Sequence, residues 1–438
     1  MAERDAVMHT WCVQSEWDAP AVVGGSGAWF WDEQGRRYLD MSSQAECCNL
    51  GHQHPAVVAA IHDQAGRLCY IGNAWGAQPR AELAQRLLKR AGFDGGRVFF
   101  TLGGADANEH AVKFARWATD RPLGKIITRY RSYHGASSAA ITLSADARGQ
   151  HQPPGLLNVL HALPPYCYRC PFGLIFPSCG LRCAEHIGEL IDWEGRETVA
   201  AVLMEPHAGT NGIVAPDAYW LRLREVCRER GVPLIADEVM SGFGRVGEWF
   251  AWQRHGEAGR PDLMTLAKGL TGAHLPLGAV LVSREICERL ERQMLEAGLT
   301  YGGHPLCCAA GVAALNAYAE EDLITRSREL GAALRHGLDR LRARHACIGE
   351  VRGDGLFQVL ELVADFRSRK PLAPWSGTGD SPVKRLARRA KARGVCIATR
   401  GNLLILAPPL VIAREDLDLA LRLLDELLDD CDAAMSAA

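Results

Sequence analysis

The 438-residue chain has no charge imbalance: 49 Lys and Arg against 51 Asp and Glu leave a formal net charge of −2. Phosphate-rich partners are held through strongly basic surfaces, so neither nucleic acid nor an anionic membrane is expected as a partner. No apolar run is long enough to span a bilayer, and Met1-Ala2-Glu3-Arg4-Asp5 does not read as a signal peptide. Internal repeats are absent too. Cysteine is plentiful, yet 15 is an odd count in a long chain. Pairs such as Cys47-Cys48 and Cys307-Cys308 sit in apolar or helical stretches. Reduced thiols in a cytoplasmic protein fit better than a disulfide framework. With 48% hydrophobic and 23% charged residues, the chain is globular and large enough for two domains.

Its most telling stretch is Asp262-Leu263-Met264-Thr265-Leu266-Ala267-Lys268-Gly269, a short apolar run ending in one Lys beside glycine. A Lys at the end of a buried strand is desolvated, which predicts a lowered pKa and a nucleophilic amine. Such an amine attacks carbonyls, including that of pyridoxal phosphate. Upstream, Pro233-Leu234-Ile235-Ala236-Asp237 is a second apolar run with a carboxylate at its carboxyl end, where ligands collect in open α/β sheets. A pyridoxal site needs an acid to keep the pyridine nitrogen protonated, so Asp237 and Lys268 are complementary.

Arg97-Val98-Phe99-Phe100-Thr101 reads as a strand, followed by Gly103-Gly104-Ala105-Asp106 and a helical pattern to Trp117. Strand, glycines and helix start together form an anion cradle, although an ordinary strand-to-helix turn uses the same residues. Short strands are expected at 125–128 and 139–143, around Tyr133-His134-Gly135. An aromatic there can stack on a flat cofactor, worth roughly 0.5–1.5 kcal/mol beyond buried area. Val199-Ala200-Ala201-Val202-Leu203-Met204-Glu205 is a further buried strand ending in a carboxylate. Helices are expected over 56–65, 80–90 and 220–230, and this alternation predicts a parallel, doubly wound α/β sheet.

After Tyr301-Gly302-Gly303-His304-Pro305 comes a long helix. Beyond it the pattern becomes α+β: helices over 326–344 and 383–393, strand-like runs at 355–360 and 403–407, and a final Leu-rich helix. The division expected is 1–55 as the N-terminal part of a small domain, 56–325 as the large cofactor-binding domain and 326–438 completing the small one. The stretch 368–381 is the expected flexible segment. His52 and His54, flanking Gln53, read as hydrogen-bonding turn residues. Cys167-x2-Cys170 with Cys179-x3-Cys183 has spacing compatible with structural zinc, and packing of a Pro-rich loop without metal is the favoured alternative.

Taken in order, these residues resemble the class III (ω-amino) pyridoxal-phosphate-dependent aminotransferases of fold type I. The resemblance runs from Tyr38-Leu39-Asp40 to Pro408-Pro409-Leu410. It is most specific in Asp237-Glu238-Val239, Gly242-Phe243-Gly244-Arg245, Lys268-Gly269 and Pro276-Leu277-Gly278. The loop from Tyr166 to Gly173 looks most like the taurine–pyruvate branch, within a wider ω-amino acid–pyruvate group. The resemblance implies that Lys268 carries pyridoxal 5'-phosphate and moves the proton, and that Asp237 pairs with the pyridinium. It implies further that Val239 and Tyr133 sandwich the ring and that Gly104 and Ala105 bind the phosphate. His134 and Glu205 complete the cofactor set, and Thr300 reaches the cofactor of the other subunit. The partners implied are an amine donor, a keto acid and a second copy of the chain in a homodimer with shared active sites, which could pair into a tetramer.

The family's usual Ser-Gly-Ser-Glu is Gly103-Gly104-Ala105-Asp106 here, so a phosphate-binding hydroxyl is missing and weaker cofactor holding is expected. Thr210 and Ile405 stand where a Glu–Arg pair serves 2-oxoglutarate in relatives, which favours pyruvate as acceptor. Arg400 is a candidate for a substrate carboxylate. Glu46 replaces an aromatic pocket residue and could attract a second amine or a guanidinium; a solvated loop Glu is the plain alternative. Trp11, Trp17 and Trp75 are candidate apolar walls. The competing functions are a racemase, decarboxylase or aminomutase of the same fold, and a non-catalytic member.

Overall fold

In the computed structural model, which describes residues 3–376 and 379–435, a seven-stranded sheet forms the centre. Its order is Arg97–Thr101, Gly278–Val282, Leu263–Leu266, Leu234–Asp237, Val199–Met204, Lys125–Arg129, Val159–Ala162. Every neighbouring pair is parallel except the two made by Gly278–Val282, which is antiparallel to both its neighbours. Side chains on a strand alternate between faces, and here successive residues feed two different cores. Leu234, Ala236, Met264, Leu266, Ala279 and Leu281 belong to one. Ile235, Leu263, Val280 and Val282 belong to the other, with Ala107, Ala111 and Ala115 of the helix Gly104–Ala118. Burial on both faces explains why these strands read as unbroken apolar runs, as parallel sheets covered by helices do.

The helices Pro55–Arg67, Gln78–Ala91, Gly104–Ala118 and Asp217–Glu229 fall where periodicity places them. The expected strand at 139–143 is instead part of the helix Ser138–Leu143. Five apolar-rich residues carry too little periodicity to separate the two states. The helix also satisfies two hydroxyls internally, Thr142 Oγ1 donating to Ser138 O and Ser144 Oγ to Ala140 O. Its place beside Lys125–Arg129 is taken by Val159–Ala162.

The two ends of the chain meet in a four-stranded sheet. Val22–Ser26, Trp29–Asp32 and Arg37–Asp40 pair in turn, and Val395–Cys396 adds alongside Leu39 and Asp40. A third sheet joins Ile348–Asp354, Phe357–Asp365, Leu403–Leu406 and Ala398–Arg400, with Lys370–Pro371 on one edge. Ile348–Asp354 was not expected as a strand, because two glycines and three charges hide its alternation. The strand-like run at 355–360 begins only at Phe357, since Gly355 has φ 51° and turns the chain. Helices Leu323–Arg344 and Arg414–Met435 pack on this sheet.

Of the stretch expected to be flexible, residues 377–378 lie outside the described residues. In the rest, Ala373 is buried and Trp375 Nε1 donates to Asn211 Oδ1 at 2.8 Å. Among the described residues no helix is long and apolar enough to cross a membrane.

Candidate active site

The cleft lies at the carboxyl ends of the parallel strands and encloses about 250 Å³. Gly104, Ala105, Tyr133, His134, Glu205, Asp237, Val239 and Lys268, all expected from the sequence, line it. Strand parity decides how the carboxylate is presented. Asp237 shares its face with Ile235 and Thr265 shares its face with Leu263, so both point toward the helix Gly104–Ala118. Asn108 of that helix stands between them. Its Nδ2 donates to Asp237 Oδ2 at 2.8 Å, and its Oδ1 accepts the Thr265 hydroxyl at 2.8 Å. His134 Nδ1 lies 2.7 Å from the same Asp237 oxygen, and the Val239 amide donates to Oδ1 at 3.0 Å. Asp237 is thus a fixed, buried carboxylate. Asn108 was not expected from the sequence, although it is the polar residue one helical turn after Gly104 on an otherwise Ala-lined face.

Glu205 accepts from Arg129 Nη2 at 3.2 Å and from the Tyr133 amide at 3.3 Å, which ties the Tyr133 loop to the strand end. Burial raises its pKa despite the guanidinium. Glu238 points the other way. It is buried and accepts from Ser241 Oγ at 2.5 Å, Trp252 N at 2.9 Å and Ala251 N at 3.0 Å, a structural role.

Lys268 follows the strand Leu263–Leu266 by two residues and projects into the cleft. Its Nζ lies 2.8 Å from Glu46 Oε2. The lowered pKa expected from desolvation is therefore corrected. Burial does disfavour the ammonium, but the Glu46 carboxylate, with smaller help from Cys47 and Asp237, outweighs it and raises the pKa. Glu46 itself is neither a solvated loop residue nor open to the cleft; it is 7% exposed and engaged with Lys268. It is delivered by a left-handed turn in which Ser43, Gln44, Ala45 and Glu46 have φ of 46°, 48°, 67° and 58°. For L-residues that conformation costs about 1–2 kcal/mol each and persists only where the surroundings impose it. Asp40 Oδ1 accepts from the Ser42 amide and hydroxyl at 3.0 and 2.9 Å, and Ser43 Oγ donates to Ala407 O at 2.6 Å. The fully buried Arg245 spans Ser43 Oγ, Asn49 Oδ1, Leu356 O and Pro408 O.

Other candidates fall elsewhere. Trp75 is 68% exposed, Trp11 is exposed beside Arg148, and Trp17 stacks on His9; none lines the cleft. Short-range propensity cannot tell a pocket wall from a surface aromatic. Arg400 is held by Asp146 at 2.5 Å, so its guanidinium already has a carboxylate. Thr210 lines the cleft, while Ile405 is buried in a small core with Met240 and Val359. Thr300 is exposed and outside its own cleft, its carbonyl accepting from Tyr70 OH at 2.9 Å. The thiols of Cys167, Cys170, Cys179 and Cys183 are free, and Cys167 lies near enough to Cys170, Cys179 and Cys183 for their charges to interact. Among the described residues the group of potential ligands gathered within 4.8 Å is His345, Asp429 and Asp432, none of them from that loop. His52 and His54 do hydrogen-bond, but to residues outside the turn: His52 to Asp40 at 3.1 Å and His54 to Glu321 at 2.7 Å.

The sequence matches the model of the aminotransferase class-III family over residues 14–428. The chain belongs to the class III aminotransferases. A solved taurine:2-oxoglutarate aminotransferase from Bifidobacterium kashiwanohense is similar with a TM-score of 0.92 and 37% identity, over 98% of this chain and 96% of that one. The putrescine–pyruvate aminotransferase of Pseudomonas aeruginosa is 33% identical, over 97% of this chain and 93% of its own length. A leucine/methionine racemase of Thermococcus litoralis is 34% identical, over 94% and 91%.

Class III aminotransferases use pyridoxal 5'-phosphate, and the cleft of this aminotransferase has the features such a group requires. The helix Gly104–Ala118 starts at Gly103 with no side-chain cap, leaving its first amides free for an anion. A Cβ on Gly104 would lie 2.9 Å from Val239 Cγ1, and one on Gly135, at φ 137°, would lie 2.5 Å from Ala105 Cβ. Larger residues would close the space between the helix start and the Val239 wall.

Proposed function

We propose that this aminotransferase moves an amino group from an amine or ω-amino acid, taurine-like or a biosynthetic intermediate, to pyruvate. The observation that carries the assignment of roles is the common cleft of Lys268, Asp237 and the uncapped helix start at Gly104. When bound, the cofactor supplies an electron sink for the bond broken at the donor carbon. Lys268 would hold the cofactor through Nζ and, as a free amine, would carry the proton at the donor carbon. Asp237, oriented by Asn108 and His134, keeps the pyridine nitrogen protonated. Tyr133 and Val239 bracket the ring, Glu205 anchors the Tyr133 loop, and the amides at Gly104 and Ala105 receive the phosphate.

Thr300 serves the cofactor of a second copy, which makes the working form a homodimer with its sites at the interface. Its exposure outside its own cleft supports this. The acceptor assignment rests on Thr210 and Ile405, which cannot form the ion pair that suits a dicarboxylate. The division into a large domain over 56–325 and a small domain from both chain ends, and a cytoplasmic location, belong to the same reading.

Single-turnover absorbance tests it. A panel of amines bleaches the cofactor band, pyruvate restores it, and Lys268→Ala has no such band. Recovery with 2-oxoglutarate alone would sink the acceptor assignment. Turnover with no keto acid would instead favour racemase, decarboxylase or aminomutase chemistry.

A further inference from the structure

We propose that Cys167, Cys170, Cys179 and Cys183 bind one zinc ion through their four thiolates, a structural staple on the loop between the strand Val159–Ala162 and the helix Arg182–Glu194. The four stand as Cys-x2-Cys and Cys-x3-Cys with eight residues between the pairs, a spacing of the kind that zinc loops use. The fold keeps them together. Cys167 is close enough to Cys170, Cys179 and Cys183 for their charges to interact, and Cys183 is within the same reach of Cys179. All four thiols are free and none is fully buried, so an ion can reach them from solvent. Glu350, a carboxylate that also acts on Cys167, is paired with Arg352. A set made only of soft thiolates suits zinc and not calcium or magnesium.

Packing alone does not account for the loop. No residue from 167 to 183 is buried, and Leu174, Ile175 and Phe176 are exposed. Its shape rests on turns that begin or end on cysteines. Gly173 N donates to Cys170 O at 3.1 Å, Cys179 N to Ile175 O at 2.9 Å and Arg182 N to Cys179 O at 3.2 Å. A segment with so little core of its own gains most from a metal staple. Cys183 lies in the first turn of the helix Arg182–Glu194, which starts without a side-chain cap, and the amides of Cys183 and Ala184 lie within reach of its sulfur. A helix start favours a thiolate, and amide bonds to sulfur orient a metal ligand. Both ends of the loop are anchored. Tyr166 OH donates to Glu361, Arg169 Nε lies 2.5 Å from the same carboxylate, and the helix Arg182–Glu194 packs on Asp217–Glu229. Among the described residues no three of these sulfurs are gathered within 4.8 Å of one another, so the ion draws them in, and the thiol protons leave to solvent.

The test is the metal content of the full-length enzyme, expressed with zinc in the medium, purified with a thiol reductant and measured by plasma mass spectrometry. One zinc per chain is expected. Replacing it with Co2+ should give the intense visible bands and near-ultraviolet thiolate charge transfer of a tetrahedral four-sulfur site. Cys170→Ser and Cys183→Ser should each lose those bands and most of the zinc. His345→Gln, in the other group of potential ligands, should keep both. Removing zinc with a chelator should lower the thermal midpoint of the wild type and leave that of the two serine variants where it was. Reduced wild-type enzyme that holds no zinc and gives no cobalt–thiolate absorption overturns the proposal, whatever the variants do. Zinc retained in both serine variants, or lost in His345→Gln alone, overturns it as well.

Discussion

Asn108 donates to Asp237 and accepts from Thr265, each at 2.8 Å, and so locks the ends of two adjacent parallel strands to the helix that faces them. Removing one partner of a buried hydrogen bond costs about 1–3 kcal/mol, and here two groups would be left short. Asn108→Ala should therefore weaken retention of pyridoxal 5'-phosphate by roughly 5- to 150-fold, read by titrating the apoenzyme with cofactor and following absorbance. Asn108→Asp should be worse, since it sets a second carboxylate beside Asp237. Affinity unchanged in both variants would show that Asp237 needs no such support.

Ala105 stands at the helix start where the sequence resemblance leads one to expect a hydroxyl-bearing residue. With that hydroxyl missing, the free amides at the helix start would carry the phosphate alone. A hydrogen bond to a charged group contributes about 1.5–3 kcal/mol, so Ala105→Ser should tighten cofactor binding by on the order of tenfold or more. The cofactor off-rate under dialysis measures it. A faster loss than wild type would mean that the space beside Gly135 does not admit the extra oxygen.

His345 ties the last helix to the C-terminal sheet, with Nδ1 2.7 Å from Asp432 and Nε2 2.9 Å from Asp425. Burial alone would lower its pKa, but the two carboxylates outweigh burial and raise it. A raised folded-state value means that its stabilisation is fully present below the unfolded value of about 6.5 and is lost as pH rises through the folded value. Thermal midpoints should therefore fall from mildly acidic to mildly alkaline buffer, and His345→Gln should flatten that slope. A wild-type midpoint that rises across the same window would contradict the assignment.

The strand carrying Asp237 and the one before Lys268 were legible because both faces of the sheet are buried, which writes each strand as an apolar run ending where the cleft begins. Gly104 and Ala105 were legible for a related reason, since a strand, glycines and a helix start are local features. The run at 139–143 was misread because five residues cannot express a helical period, and Val159–Ala162 went unseen because neighbours, not its own composition, make it a strand.

What the sequence determined by itself was therefore the fold class, the family and the short-range parts of the site, all of them consequences of patterns spanning a few residues. Only the tertiary structure decided what each charged group faces. Asn108 reaches Asp237 across 129 positions, and Glu46 reaches Lys268 across 222. The charge state of Lys268 turned on that second contact. Burial alone predicted a lowered pKa, but the Glu46 carboxylate at 2.8 Å, with smaller help from Cys47 and Asp237, outweighs desolvation. Such pairings depend on where the folded chain brings distant segments together, and no local pattern records them.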